Sequence, residues 1–184
     1  GALLATGGRN ENTVKIWDVE SMQQKHVMHG HSDCVWAVSF SADGQTLASA
    51  SQDRNVKLWA VKTGKSVNSF STPHGLCAVA ISPNGKHLAA AGDFQTIHVW
   101  DLKTGNLAHE FQAHWGVIRD VAFADDGKTL VSASMDNSAR LWSVEAMPGP
   151  FKAEGTGPRP SKSLAMSADW SSWAVFSPEG GSSL

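Results

Sequence analysis

Four tryptophans close similar phrases along the chain: TVKIW at Trp17, NVKLW at Trp59, TIHVW at Trp100 and SARLW at Trp142. They lie 42, 41 and 42 residues apart. A second marker keeps the same beat, with SADG ending at Gly44, SPNG at Gly85 and ADDG at Gly127. A third is a histidine at His31, His74 and His114. Three markers in phase at one period mean that a single structural unit is repeated, each copy burying its apolar face on the next.

Within one period the residues read as four short strands. VWAVSFS alternates and puts Val38 and Phe40 on one face. SADG turns the chain, because Asp and Gly accept the backbone angles of a tight reversal. TLASAS follows as a strand of small residues that lets neighbouring backbones approach, and QDRN turns the chain again. VKLW is the third strand, and its apolar run predicts burial on both faces. KTGK at 62–65 and the strand SVNSF complete the unit, a pair echoed by LKTGNLAHEF at 102–111. Turns every eight to twelve residues and the lack of a 3.6-residue apolar period predict an all-β protein.

Composition narrows the function. The chain has 184 residues, 41% hydrophobic and 17% charged, with a net charge of −2. That length buries roughly two-thirds of the unfolded surface. The near-neutral balance offers no bulk attraction to nucleic acid or anionic lipid, so no nucleic-acid or membrane partner is expected. The longest apolar runs, such as Leu88–Ala91, are far too short to span a bilayer. Cys34 and Cys77 form no C-x-x-C and lie in apolar surroundings. With no N-x-S/T sequon present, they point to reduced thiols and an intracellular location.

Gly30-His31, the WD dipeptides Trp17-Asp18 and Trp100-Asp101, and the 41–42-residue period resemble WD40 repeats over residues 1 to about 145. The resemblance implies β-propeller blades, four-stranded sheets packed around a central channel. The expected divisions are a partial first blade at 1–29, blade two at 30–72, blade three at 73–112 and blade four at 113–146. A Pro/Gly-rich loop is expected at 147–167 and the start of a degenerate fifth blade at 168–184. In that fifth blade ADWSSWAVFSPEGG matches SDCVWAVSFSADGQ, with Ser167 in place of the loop histidine. Such an arc is read as a piece of a longer propeller. Alternatively, residues 174–177 join the first blade and close a four-bladed ring, or a second copy completes it.

The resemblance also assigns two structural hydrogen-bond networks: His31, Ser49, Asp53 and Trp59, and His114, Ser132, Asp136 and Trp142. Their His, Ser and Asp have the residue types of a hydrolase triad. A hydrolase, however, needs one exposed serine beside an oxyanion hole, whereas this set recurs and its serine is expected to be buried. Partial networks are expected at Thr6 and Trp17, with Asn10 or Glu11 near the aspartate position, and at His74 and Trp100. In the latter blade Ala90 and Phe94 stand where the serine and aspartate belong, and Asp93 is one residue out of register. Blade three is therefore expected to open more easily than its neighbours.

No metal or cofactor is expected. His26, His29 and His31 match no zinc spacing, and the glycine-rich phosphate loops are absent. Cys34 and Cys77 have no dedicated base and read as small buried hydrophobes. RPSK at 159–162 is too brief to be a basic patch. Function is thus expected at a surface, and the resemblance to WD40 repeats implies a non-catalytic scaffold binding proteins or peptides on its loop face. The alternative is the recognition or regulatory arm of a multidomain enzyme whose catalytic domain lies outside this chain. The candidate contact residues are Trp36, Cys77 and Arg119 at the starts of first strands, and Gln52, Asp93 and Met135 at the second turn.

Overall fold

Turn chemistry sets where the chain reverses. Gly44, Gly85 and Gly127, which end the three second-marker turns, all adopt left-handed φ angles between 63° and 68°, a conformation that costs glycine no side-chain clash. The protein is described here from a computed structural model covering residues 2–145 and the two short strands 164–166 and 173–175. Among the described residues every element is a β-strand.

The first sheet holds β1 (Leu3–Gly7), β2 (Val14–Asp18) and β3 (Gln23–Met28). The second holds β4 (Val35–Phe40), β5 (Thr46–Ser51), β6 (Asn55–Ala60) and β7 (Lys65–Ser71) in sequential antiparallel order. The third repeats that pattern with β8 (Leu76–Ile81), β9 (His87–Gly92), β10 (Thr96–Asp101) and β11 (Leu107–Gln112). The fourth contains β12 (Ile118–Phe123), β13 (Thr129–Ser134) and β14 (Ala139–Ser143). The first strands adjoin across the sheets, β4 against β8 and β8 against β12, and β1 lies against β4. These sheets have the arrangement that the resemblance implies for propeller blades, with adjoining first strands on one side and exposed fourth strands such as β7 on the other.

Apolar burial between successive sheets forms the core. Ala48, Ala50, Val56 and Phe70 of the second sheet pack with Leu76, Val79, Ile81 and Trp100 of the third. Ala78, Ala80, Ile97 and Val99 of the third pack with Ile118, Val121, Phe123 and Trp142 of the fourth. The small residues of β9 are all fully buried alanines, Ala89 to Ala91. At its end, a Cβ on Gly92 would clash with the Gly75 carbonyl oxygen. Double-sided burial of the third strand, expected generally, occurs only in the third sheet. There Ile97, His98, Val99 and Trp100 are all buried, whereas in β6 Lys57 interrupts the run and in β14 Leu141 is 40% exposed. The equivalent residues Leu58 and Val99 are covered by the next sheet, and among the described residues no further sheet packs on Leu141.

Two differences concern the last part of the chain. The stretch 147–167, read as a loop, contains the strand β15 (Leu164–Met166). It pairs antiparallel with β16 (Trp173–Val175), Ala165 opposite Ala174. The strand expected at 174–177 to close a four-bladed ring thus pairs at Ala174 and Val175 with β15 rather than with β1. Its remainder, Ser167 and the rest of the fifth-blade assignment lie outside the described residues.

Candidate functional site

Each four-residue network sits between strands of one sheet. In the second sheet His31 Nδ1 donates to Asp53 Oδ2 at 2.8 Å, and Ser49 Oγ donates to His31 Nε2 at 2.7 Å. Trp59 Nε1 donates to Ser49 Oγ at 2.8 Å. The fourth sheet has the same geometry: His114 to Asp136 at 2.9 Å, Ser132 to His114 at 2.7 Å, and Trp142 to Ser132 at 2.8 Å. Each relay satisfies an indole, a hydroxyl and an imidazole with no polar atom left over. Both serines are fully buried, so neither can meet a substrate.

The electrostatics fit a static role. Burial holds the His31 and His114 imidazoles below their ordinary pKa against the opposing pull of Asp53 and Asp136. Burial pushes the Asp136 carboxyl up, but hydrogen bonds from Ser138, the Trp115 N–H and His114 outweigh it and bring the carboxyl to about 2. Asp53 is lowered in the same manner, with the Ser32 N–H and His31 overcoming its burial. The relays therefore hold neutral imidazoles against ionised carboxylates.

The other two sheets depart from this pattern. Trp17 Nε1 donates to Thr6 Oγ1 at 3.1 Å on an exposed surface, and Glu11 pairs with Lys15 instead of a histidine. In the third sheet His74 stacks on Phe94 with ring centroids 3.4 Å apart. The Trp100 indole makes no hydrogen bond there and packs on Phe70 and His98.

The six candidate contact residues meet at one end of the sheets. Pairing shifts between Val35 and Ala37, between Leu76 and Ala78, and between Ile118 and Asp120. Trp36, Cys77 and Arg119 are thus the extra residues of three equivalent β-bulges, a device that re-aims a side chain out of the pleat. They interleave with the loop residues Gln52, Asp93 and Met135. Trp36 Nε1 donates to Gln52 Oε1 at 3.2 Å, and Gln52 Nε2 to Asp93 Oδ2 at 2.5 Å. The Cys77 thiol lies 3.7 Å from Asp93 Oδ1, and the Arg119 guanidinium approaches Cys77 Sγ at 4.0 Å and Met135 Sδ at 3.2 Å. Gly75 leaves room for the Gln52–Asp93 bridge, since a Cβ there would meet both side chains within 3 Å. The result is one ribbon across three sheets.

Within it the residues differ in access. Trp36 is 42% exposed and Met135 58%, whereas Cys77 is buried beneath the ribbon. Burial and Asp93 push the Cys77 thiol up against the pull of Arg119, so it supports the surface from below and is a poor nucleophile. Three residues that the sequence reading did not assign join the same end. Arg9 lies over the Trp36 ring at 5.0 Å, while Phe94 and Trp115 are 56% and 74% exposed. Their signal was repeat register: Trp115 follows His114 as Ser32 follows His31.

Among the described residues no group of three or more His, Cys, Asp or Glu side chains is placed to hold a metal ion, and no helix is long and apolar enough to cross a membrane.

Comparison with known proteins agrees with this architecture. The family described as "WD domain, G-beta repeat" matches residues 22–60, 64–101 and 105–143. Each matched repeat begins with the outer strand of one sheet and continues through three strands of the next, so every repeat ties two blades together. The chain is 43% identical over 147 residues to nuclear distribution protein PAC1 of Ajellomyces capsulatus (strain H143), covering 78% of this chain and 32% of that protein. It is 34% identical over 137 residues to protein SPA1-RELATED 4 of Arabidopsis thaliana, covering 73% of this chain and 17% of that protein. A 73-residue match, 36% identical, links it to eukaryotic translation initiation factor 3 subunit I of Brugia malayi, covering 40% of this chain and 22% of that protein. The chain therefore spans about a third or less of the length of these relatives. It belongs to the WD40-repeat family.

Proposed function

We propose that this chain is a non-catalytic scaffold that docks a protein or peptide partner on the loop face carrying Trp36, Gln52, Asp93, Arg119 and Met135. The observation that supports this reading best is the ribbon itself. Three equivalent bulges aim Trp36, Cys77 and Arg119 at one end, and hydrogen bonds link their heads to the neighbouring loops. Aromatic residues, Met and Arg are the types enriched at interface centres, and a fixed side chain loses less entropy on binding. The four-residue networks have a structural role beneath this face, and the divisions at 30–72, 73–112 and 113–146 follow one blade each.

A second reading, the substrate-recognition or regulatory arm of a multidomain enzyme whose catalytic domain lies outside this chain, draws support from the small share of each relative that this chain covers. Both readings place the partner on the same face. The test is quantitative affinity capture from an extract of the source cells, with Trp36→Ala and Arg119→Ala compared against Val67→Ala on an outer strand. Partners held by the parent and by Val67→Ala are expected to be lost from the first two variants, with thermal unfolding unchanged. Equal capture by all the folded proteins overturns the assignment.

A further inference from the structure

The arginines of the described residues gather at one end of the sheets. Arg9 lies in the β1–β2 loop and Arg54 in the equivalent β5–β6 loop, Arg119 lies in the bulge of β12, and Arg140 reaches the Ala113 carbonyl in the same set of loops. These four arginines among the described residues thus serve one end of the sheets. The cations around the turns at the opposite end, Lys62, Lys65, Lys86, Lys103 and Lys128, are lysines, while Lys15, paired with Glu11, and Lys57, beside Gly30, also reach the arginine end. Arg140 is committed to Asp136. No carboxylate among the described residues lies within ion-pair distance of Arg9, Arg54 or Arg119. Arg119 reaches only two sulfur atoms, both weak acceptors, and Arg9 rests on an aromatic face.

The acids of that end are already engaged. Asp53 and Asp136 hold the imidazoles, Glu11 holds Lys15, and Asp93 accepts from Gln52 and Cys77. Asp33 accepts the Cys34 N–H. The same end also carries every exposed aromatic side chain among the described residues, Trp36, Phe94 and Trp115. A partner complementary to it must bring carboxylates for planar, bidentate guanidinium pairing and apolar side chains for the rings between them.

We propose that this face receives an acidic peptide segment, whose carboxylates pair with Arg9, Arg54 and Arg119 and whose interleaved apolar side chains lie on Trp36, Trp115 and Met135. The inference rests on the docking reading above and adds the chemistry of the occupant. A peptide fits better than a nucleic acid because Asp33 and Asp93 break the positive surface, and a continuous phosphate backbone would have to pass them. Three separated guanidiniums can instead be matched by carboxylates spaced along a chain.

The test is selection of a random dodecapeptide phage library on the full chain, followed by fluorescence anisotropy of the enriched peptides. Enriched sequences are expected to carry net negative charge together with aromatic or aliphatic residues. Replacing their acids with amides is expected to weaken binding at least tenfold, as is the triple variant Arg9→Gln, Arg54→Gln, Arg119→Gln. The control Lys62→Gln, Lys65→Gln, Lys103→Gln at the opposite end is expected to stay within twofold. Circular dichroism verifies folding of each variant. Enriched neutral peptides that bind the arginine variant but not Trp36→Ala overturn the acidic occupant while leaving the docking face in place. Acidic peptides that bind the arginine variant and Trp36→Ala as tightly as the parent overturn both. A fifteen-nucleotide single strand that binds more tightly than any enriched peptide, and is lost in the arginine variant, overturns the peptide in favour of nucleic acid. No enrichment on folded protein overturns the proposal as well.

Discussion

Trp59 and Trp142 each present one indole N–H to a serine that has no exposure to water. Ser49→Ala removes the acceptor for that N–H and the donor to His31, leaving two buried groups unpaired. The expected cost is about 2–3 kcal/mol, read as a lower urea midpoint with an unchanged slope. Ser132→Ala is expected to cost the same, and the two should add, because the networks share no partner. Trp100→Phe should cost less than Trp59→Phe in the same assay, since the Trp100 indole has no bond to lose. The relays also set a pH dependence. His31 and His114 have folded pKa values below the unfolded 6.5, so the unfolded chain binds protons first as pH falls. Their stabilisation is present above 6.5 and is lost progressively below it. Asp53 and Asp136, also lowered, act in the same direction below the ordinary carboxylate range near 3.8. Urea midpoints are thus expected to fall steadily from pH 7.5 to pH 5 and further towards pH 3, and a flat profile would contradict the neutral-imidazole assignment.

The sheets differ in how their loop ends are fastened. In the second and fourth, an aspartate accepts from both the histidine and the next backbone N–H, Ser32 or Trp115, which ties the loop before the first strand to the loop after the second. In the third sheet Phe94 takes that position and offers only ring stacking to His74. Native-state hydrogen exchange is expected to show faster opening of residues 73–75 and 93–95 than of 31–34 and 114–117, while the buried strands β8 and β9 stay protected. The third sheet also relies on close backbone approach. A Cβ on Gly92 would press on Gly75 and Leu76 main-chain atoms, which cannot rotate away. Gly92→Ala is therefore expected to destabilise by about 1–3 kcal/mol, measured by thermal unfolding.

Across the whole molecule the repeat makes each sheet depend on the next. The outer strand of one blade is continuous with the inner strand of its neighbour, as at β7 and β8, and apolar contacts join the sheets pairwise. Repeats coupled in this way unfold as neighbours rather than independently. A mutation at the interface of the second and third sheets, such as Leu76→Ala, is expected to lower the protection of both sheets in hydrogen exchange, by about 2–5 kcal/mol if the site does not collapse. The loop face shows the same dependence, because its ribbon draws on three sheets and a partner contact there reports their relative placement.

The period and the strand-and-turn order were legible because each is encoded locally and repeated in register, and the relay residues were assigned through the resemblance to WD40 repeats. Periodicity of two, turn glycines and a fixed tryptophan beat survive without knowledge of the fold. The bulges that re-aim Trp36, Cys77 and Arg119 were not legible, since a bulge is a relation between two strands and leaves no mark on either one. Nor was the gathering of Arg9, Arg54 and Arg119, whereas the burial of Cys77 was read from its apolar surroundings. Those arginines are scattered along the chain within a near-neutral composition, and only the stacking of successive sheets brings their loops to one end. Local pattern fixed the elements of this protein, and the packing of sheet on sheet decided its surface chemistry.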